Sequence, residues 1–281
     1  MILSFGPFAQ GPTAGALALG LPSLAALACY VAAALPGERF SNGLRMALLA
    51  GWVAHAMAIV ADIAGLGSEV VGARFGFAPA LSMTLWLVLA VYQIEGRFLP
   101  LPGLRRGLAA LGGVAVALAL AFPGELIPHV ASRWAPLHWV LGIASYGLFG
   151  AAVLHALMLS RAERQLRTKV LTLSDAAPAK GIPLLRLERL TYRFVAAGFV
   201  VLSLALVLGA WVADPWRWDH KTVFSMLAWV VFAGLLAGRL AFGWRGPKAT
   251  GWLYFGTVLL LLGYVGSRFV FEVLLHRQPP L

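Results

Sequence analysis

Residues 192–238 read "YRFVAAGFVVLSLALVLGAWVADPWRWDHKTVFSMLAWVVFAGLLAG". Two apolar runs, each close to the length of about 20 residues that an α-helix needs to cross hydrocarbon, flank a polar stop. That stop, "WVADPWRWDHKT" (211–222), holds three tryptophans, two aspartates, a proline, an arginine, a lysine and a histidine. In lipid every backbone N–H and C=O needs a partner from the chain itself, so only helices and closed barrels span it. The runs lack the two-residue alternation of a barrel strand, so helices are the reading.

The same pattern recurs along the chain. Apolar runs fall at roughly 13–35, 46–66, 78–95, 107–122, 138–160, 191–212, 222–241 and 250–274. The chain is 60% hydrophobic and 12% charged, whereas a soluble domain carries about a quarter charged residues. These features predict an all-α polytopic membrane protein with eight transmembrane helices. Residues 1–281 form a single integral membrane domain on this reading, with no internal repeat and no soluble module.

Lysine and arginine placement gives the orientation. Arg39, Arg45, Arg97, Arg105, Arg106, the cluster from Arg161 to Arg193, Arg239, Arg245 and Lys248 lie on one side, 16 of the 22 basic residues. Arg74, Arg133, Arg217, Lys221, Arg268 and Arg277 lie on the other. The first side is expected to be cytoplasmic, with both termini outside. The net charge of +11 is then mostly positive-inside bias, and nucleic acid is not an expected partner. No lysine or arginine precedes the first apolar run, so that run is expected to stay as a span. Cys29 is the only cysteine, which excludes thiol–disulfide chemistry within the chain and a thioether-bound haem.

Against such a background the polar exceptions carry the information. The basic loop 160–193 is expected to serve mainly as an orientation signal, with "IPLLRLERL" as an interfacial elbow. His55 sits mid-span, and Asp62 follows seven residues later, about 10 Å along the same helical face. They are either an intramembrane polar pair or two separately satisfied side chains. His155 is expected to snorkel to the headgroups, and His129 lies in an uninformative outer loop.

Three chain-distant histidines, His138, His220 and His276, fall at the outer ends of spans or in an outer loop. Trp134, Trp139, Trp211, Trp216 and Trp218 share that depth. Imidazole ligates iron, indoles offer flat apolar faces, and Arg133, Arg217, Arg268 and Arg277 suit carboxylates. Haem meets all three descriptions, and so does a generic aromatic belt with histidines at helix ends.

The order of motifs goes further. "WRWDHKT" (216–222) resembles the tryptophan-rich WWD signature of the cytochrome c assembly family. That family includes the CcsA and CcmC haem-handling proteins and the HemX-like and YpjD-like branches, the last looking nearest. Gly243, Trp244, Gly246 and Lys248 resemble the family's G-W-x-G-K turn, and Gly263-Tyr264-Val265-Gly266 its T-Y-F-G segment. His276 falls at the terminal histidine, and "LHWVLGIASYGLFGAAVL", led by His138, resembles the histidine-led span, with Ser145 and Tyr146 in its S-Y pair. The likeness is strongest over 134–277. Departures are Val212 at the first family tryptophan, His220 for a proline, Thr222 for a glutamate, and Ala237 where CcsA-type members hold a membrane histidine. "APALS" also stands in place of the N-E-S-L-like segment.

The resemblance implies an inner-membrane bacterial protein that binds haem b non-covalently and presents or passes it at the outer face for cytochrome c maturation. His138 and His276 would be the metal ligands, at matching depth, with His220 as the rival. Trp216, Trp218 and Trp139 would support the macrocycle, Asp219 would pin the loop, and Arg217 and Lys221 would meet the propionates. Implied partners are membrane lipid, haem and assembly proteins, and no turnover is expected from the chain alone. Two rivals stand beside this reading. One is a regulator or scaffold of tetrapyrrole metabolism that does not bind haem. The other is a small secondary transporter using His55 and Asp62.

Overall fold

The computed structural model describes residues 14–36, 41–64, 72–96, 104–128, 134–171, 184–212 and 218–275. Eight helices follow the eight apolar runs: α1 (Ala14–Ala34), α2 (Ser41–Ile63), α3 (Phe77–Glu95), α4 (Leu104–Ala121), α5 (Ala135–Leu171), α6 (Leu184–Val212), α7 (His220–Phe242) and α8 (Gly246–Leu274). Seven of these are long and apolar enough to cross a membrane, and in α1 the stretch Gly20–Ala34 forms a shorter apolar helix. The protein is an all-α, multi-pass membrane protein.

Two details depart from the sequence reading. A short antiparallel ribbon pairs β1 (Gly72–Phe75) with β2 (Glu125–Pro128), Gly72 opposite Pro128 and Phe75 opposite Glu125. Four-residue strands between apolar runs leave too little periodicity to read, and their pairing closes backbone groups that neither neighbouring helix can satisfy. The stretch "IPLLRLERL" is no separate elbow where it is described, because Leu184 already opens the helix that runs unbroken to Val212.

The chain divides into two compact units, one of Met1–Gln93, Leu101–Ala131 and Phe271–Leu281, the other of Ile94–Pro100 and Ser132–Val270. In the first, α1 packs on α2 and α4. Fully buried Tyr30 lies against Gly51 and Gly112, where the missing Cβ atoms let the backbones approach. Trp52 and Trp86 tie α2 to α3. Their rings stack at 5.0 Å and 4°, and each indole N–H donates to the other's carbonyl at 3.1 Å. At the end of α8, a Glu272 carboxylate oxygen lies 3.5 Å from the Phe77 N–H that opens α3, where negative charge is favoured.

The second unit is built on α5 and α6. Leu187, Thr191, Val195, Gly198, Leu202 and Ala205 recur every three or four residues and form the buried stripe of α6. Phe149 of α5 and Phe232 of α7 are both fully buried and stack at 3.8 Å and 8°. Lipid-facing side chains need no such burial, and Leu240 is 88% exposed.

The glycine–tryptophan turn between α7 and α8 has a physical account. Gly243 ends α7 in the left-handed region at φ 63°, the conformation that a helix C-cap favours and a side chain opposes. Trp244 then folds back on Gly238, receives the Lys248 ammonium over its ring at 4.1 Å, and accepts the Tyr192 hydroxyl at its carbonyl (2.7 Å). Arg239 reaches the same carbonyl at 3.2 Å and pairs with Glu188, which Arg245 also approaches at 3.3 Å. These residues brace that end of the unit.

Candidate functional site

At the opposite end of the second unit, α5 starts with Trp134, in the turn before the helix, and presents His138 one turn in. The His138 ring is half-buried against α6, and its Nδ1 lies 2.9 Å from the Ala205 carbonyl oxygen. A carbonyl can only accept, so Nδ1 is the protonated nitrogen and Nε2 carries the lone pair. Among the described residues no partner takes Nε2. Gly209, one helical turn beyond Ala205, lies directly under the ring: a Cβ there would fall 2.8 Å from Cε1 and 3.2 Å from Nδ1.

The polar loop returns to this place. Asp219 caps α7, its Oδ1 accepting the Thr222 N–H and hydroxyl at 2.8 Å each. Burial alone would raise its pKa, but the two Thr222 donors and the Lys221 ammonium, 3.4 Å from Oδ2, outweigh it and hold the carboxyl below its ordinary value. The capped carboxylate therefore fixes where α7 starts. Lys221 is close enough to His138 to act on it electrostatically. Trp218 is 69% exposed and Trp211, at the end of α6, is 81% exposed. Trp139 lies half-buried beside His138 on α5, and His220 is exposed at the first position of α7. Trp216 and Arg217 lie outside the described residues, as does His276.

Helix α8 also reaches this end. Gly263 packs against Phe224, Ser225 and the Lys221 carbonyl of α7, inside the first of two π-helical turns, Leu262–Gly266 and Val270–Leu274. The Ser267 N–H reaches back five residues to the Leu262 carbonyl, and the Ser267 hydroxyl donates to Gly263 O at 2.8 Å. The sequence reading placed the outer boundary of this span at its last residue. The helix agrees: α8 runs to Leu274, where the apolar run also ends.

His55 and Asp62 are not brought together. His55 is 1% exposed, with Nδ1 at 3.0 Å from the Tyr30 hydroxyl and Nε2 at 2.7 Å from the Ser82 hydroxyl, so it pins α2 to α1 and α3. Asp62 faces Arg74 of β1 at 3.6 Å. His55→Ala should leave any haem spectrum in place. It should also lower stability by about 1–3 kcal/mol for each buried hydroxyl left unpaired. Unfolding midpoints and absorbance of the same samples check both halves.

His155 does not snorkel. It is fully buried, its Nδ1 donates to the Ala151 carbonyl at 2.8 Å, its ring stacks on Phe194, and its Nε2 lies 2.7 Å from Glu95 Oε2. The contact joins the end of α3 to α5. Neither Glu95 nor this pairing was legible, since the two residues are far apart in the chain and both end apolar runs where snorkelling is the ordinary outcome.

Among the described residues no three His, Cys, Asp or Glu side chains cluster to hold a bare metal ion. A haem iron asks less of the protein, because the macrocycle supplies four ligands and one or two imidazoles complete the set. An imidazole with its second nitrogen held by a carbonyl, beside exposed indoles and a lysine, fits that requirement. These residues lie within the match to the family model described as "Cytochrome C assembly protein", which spans residues 23–275. The "Inner membrane protein YpjD" of Escherichia coli (strain K12) is 30% identical over 265 residues, covering 90% of this chain and 98% of that protein. The "Cytochrome c biogenesis protein CcsA" of Prochlorococcus marinus is 23% identical over 223 residues, covering 68% of this chain and 71% of that protein. Its counterpart in Gloeobacter violaceus is 24% identical over 251 residues, with 68% and 74% covered. The chain belongs to the cytochrome c assembly protein family.

Proposed function

We propose that this protein binds haem b non-covalently at the outer face of the bacterial inner membrane and presents it for cytochrome c maturation. The observation that carries the reading is His138: a histidine in the tautomer a metal ligand needs, at the helix ends where the WWD-like loop returns. Trp218 and Trp139, with Trp216, supply the apolar surface, Asp219 holds the loop, and Lys221 and Arg217 meet the propionates. His276, or His220 in its place, supplies a second imidazole. The relatives' printed names, an inner membrane protein and cytochrome c biogenesis proteins, support the location and the haem-handling role. Bound haem would supply the iron centre, and this chain's residues would hold and orient it. Protein purified in detergent should carry haem at about one per chain by pyridine haemochrome assay, or acquire it on reconstitution.

Ala237, where CcsA-type members hold a membrane histidine, favours a second reading: a non-enzymatic regulator or scaffold of haem metabolism. Protein that remains colourless after reconstitution would support it.

The outer-face assignment is itself testable, since both termini and loop 213–221 are proposed to lie outside. In a Cys29→Ser background, Ala213→Cys should be labelled in intact cells by an impermeant maleimide and Ala177→Cys should not. Labelling of Ala177→Cys alone would reverse the topology.

A further inference from the structure

We propose that α6 contains a purpose-built seat for the His138 imidazole, with the Ala205 carbonyl fixing its tautomer and Gly209 giving its ring room. Gly209 is then a positioning residue for the haem-facing Nε2. The proposal rests on the haem reading above for its purpose, but not for its geometry. Ala205 is the last residue of the buried stripe that runs up α6 from Leu187, and Gly209 continues that stripe by one turn. At this level the partner side chain on α5 is an imidazole, where at Gly198 it is the Phe149 ring. In an α-helix the Ala205 carbonyl already accepts the Gly209 N–H, and a carbonyl has a second lone pair to offer. His138 Nδ1 takes it at 2.9 Å.

That geometry leaves no space over Gly209. A methyl group there would lie 2.8 Å from Cε1, 3.2 Å from Nδ1 and 3.6 Å from Nε2, so the whole ring edge must move. The ring cannot slide away and keep its bond, because acceptor and obstacle sit one turn apart on the same helix. Releasing Nδ1 frees the proton to exchange between the two nitrogens, and Nε2 is no longer a fixed acceptor. A carbonyl-anchored imidazole is also more basic and better oriented toward a metal. Gly142, one turn after His138 on α5, is a control, since a Cβ there meets nothing within 4 Å.

The test uses full-length protein in detergent with ¹⁵N-labelled histidine, the His138 signals being assigned by their loss in His138→Gly. Haem-free wild type and Gly142→Ala should show a single neutral tautomer protonated at Nδ1, and Gly209→Ala should show mixed tautomers. With haem, Gly209→Ala should bind about 10- to 100-fold more weakly, the usual range for an outer-shell change. It should recover its low-spin spectrum in added imidazole. Adding Gly209→Ala to His138→Gly should cost no further stability or haem affinity, because the ring it obstructs is gone. That double variant separates a displaced ring from a misfolded helix. A Gly209→Ala protein that keeps the Nδ1–H signal, or a double variant damaged as much as Gly209→Ala alone, overturns the seat. A wild type with the fixed tautomer but no haem uptake overturns the haem reading, and with it the purpose assigned here.

Discussion

His138→Gly should lose haem affinity by more than about 100-fold, exceeding the 10- to 100-fold cost typical of outer-shell changes around a metal. The iron bond and the Ala205 anchor vanish together, while the tryptophan surface remains. Residual binding should therefore be hydrophobic and high-spin, and added imidazole, entering the space left by the side chain, should restore the low-spin form. His220→Ala should be milder: the histidine is exposed at the first turn of α7, and the Asp219 cap that fixes that turn does not depend on it. If His138→Gly keeps an unchanged low-spin spectrum and His220→Ala abolishes it, the loop histidine is the ligand.

The second large effect lies away from the proposed haem site. Glu95→Ala should destabilise the protein by about 1–3 kcal/mol, the cost of leaving the buried His155 Nε2 without its neighbour. His155 cannot compensate by turning, because its Nδ1–H is held by the Ala151 carbonyl and its ring by Phe194. Glu95→Gln should be far milder, since the amide N–H can donate to Nε2 where the carboxyl stood. Denaturant midpoints in one detergent would rank the three proteins. Equal midpoints for wild type and Glu95→Ala would show that the contact contributes nothing.

Most of the architecture was legible because a bilayer enforces it. A 20-residue apolar run has one backbone solution in lipid, and the eight runs became eight helices with ends shifted by a few residues, α5 extending furthest. What escaped was decided by pairs distant in the chain. Nothing in the sequence marks Trp52 and Trp86 as a pair, yet each satisfies the other. His55 and Asp62 share a helical face but differ in partners, because Tyr30 and Ser82 arrive from α1 and α3 and Arg74 from the β-ribbon. The site was legible in part. Histidine, tryptophan and lysine at one depth marked the end of the unit, and motif order gave the family. Gly209 carried no signal: a glycine in a small-residue-rich span looks like any other until the ring above it is placed. The π-helical turns of α8, Leu262–Gly266 and Val270–Leu274, had none either.

The most direct test of haem binding is the reduced-minus-oxidised absorption spectrum of the wild-type protein, reconstituted with haem and freed of excess. The account predicts a sharp low-spin b-type spectrum, a Soret band with resolved α and β bands, at about one haem per chain. A featureless difference spectrum from folded protein would contradict it.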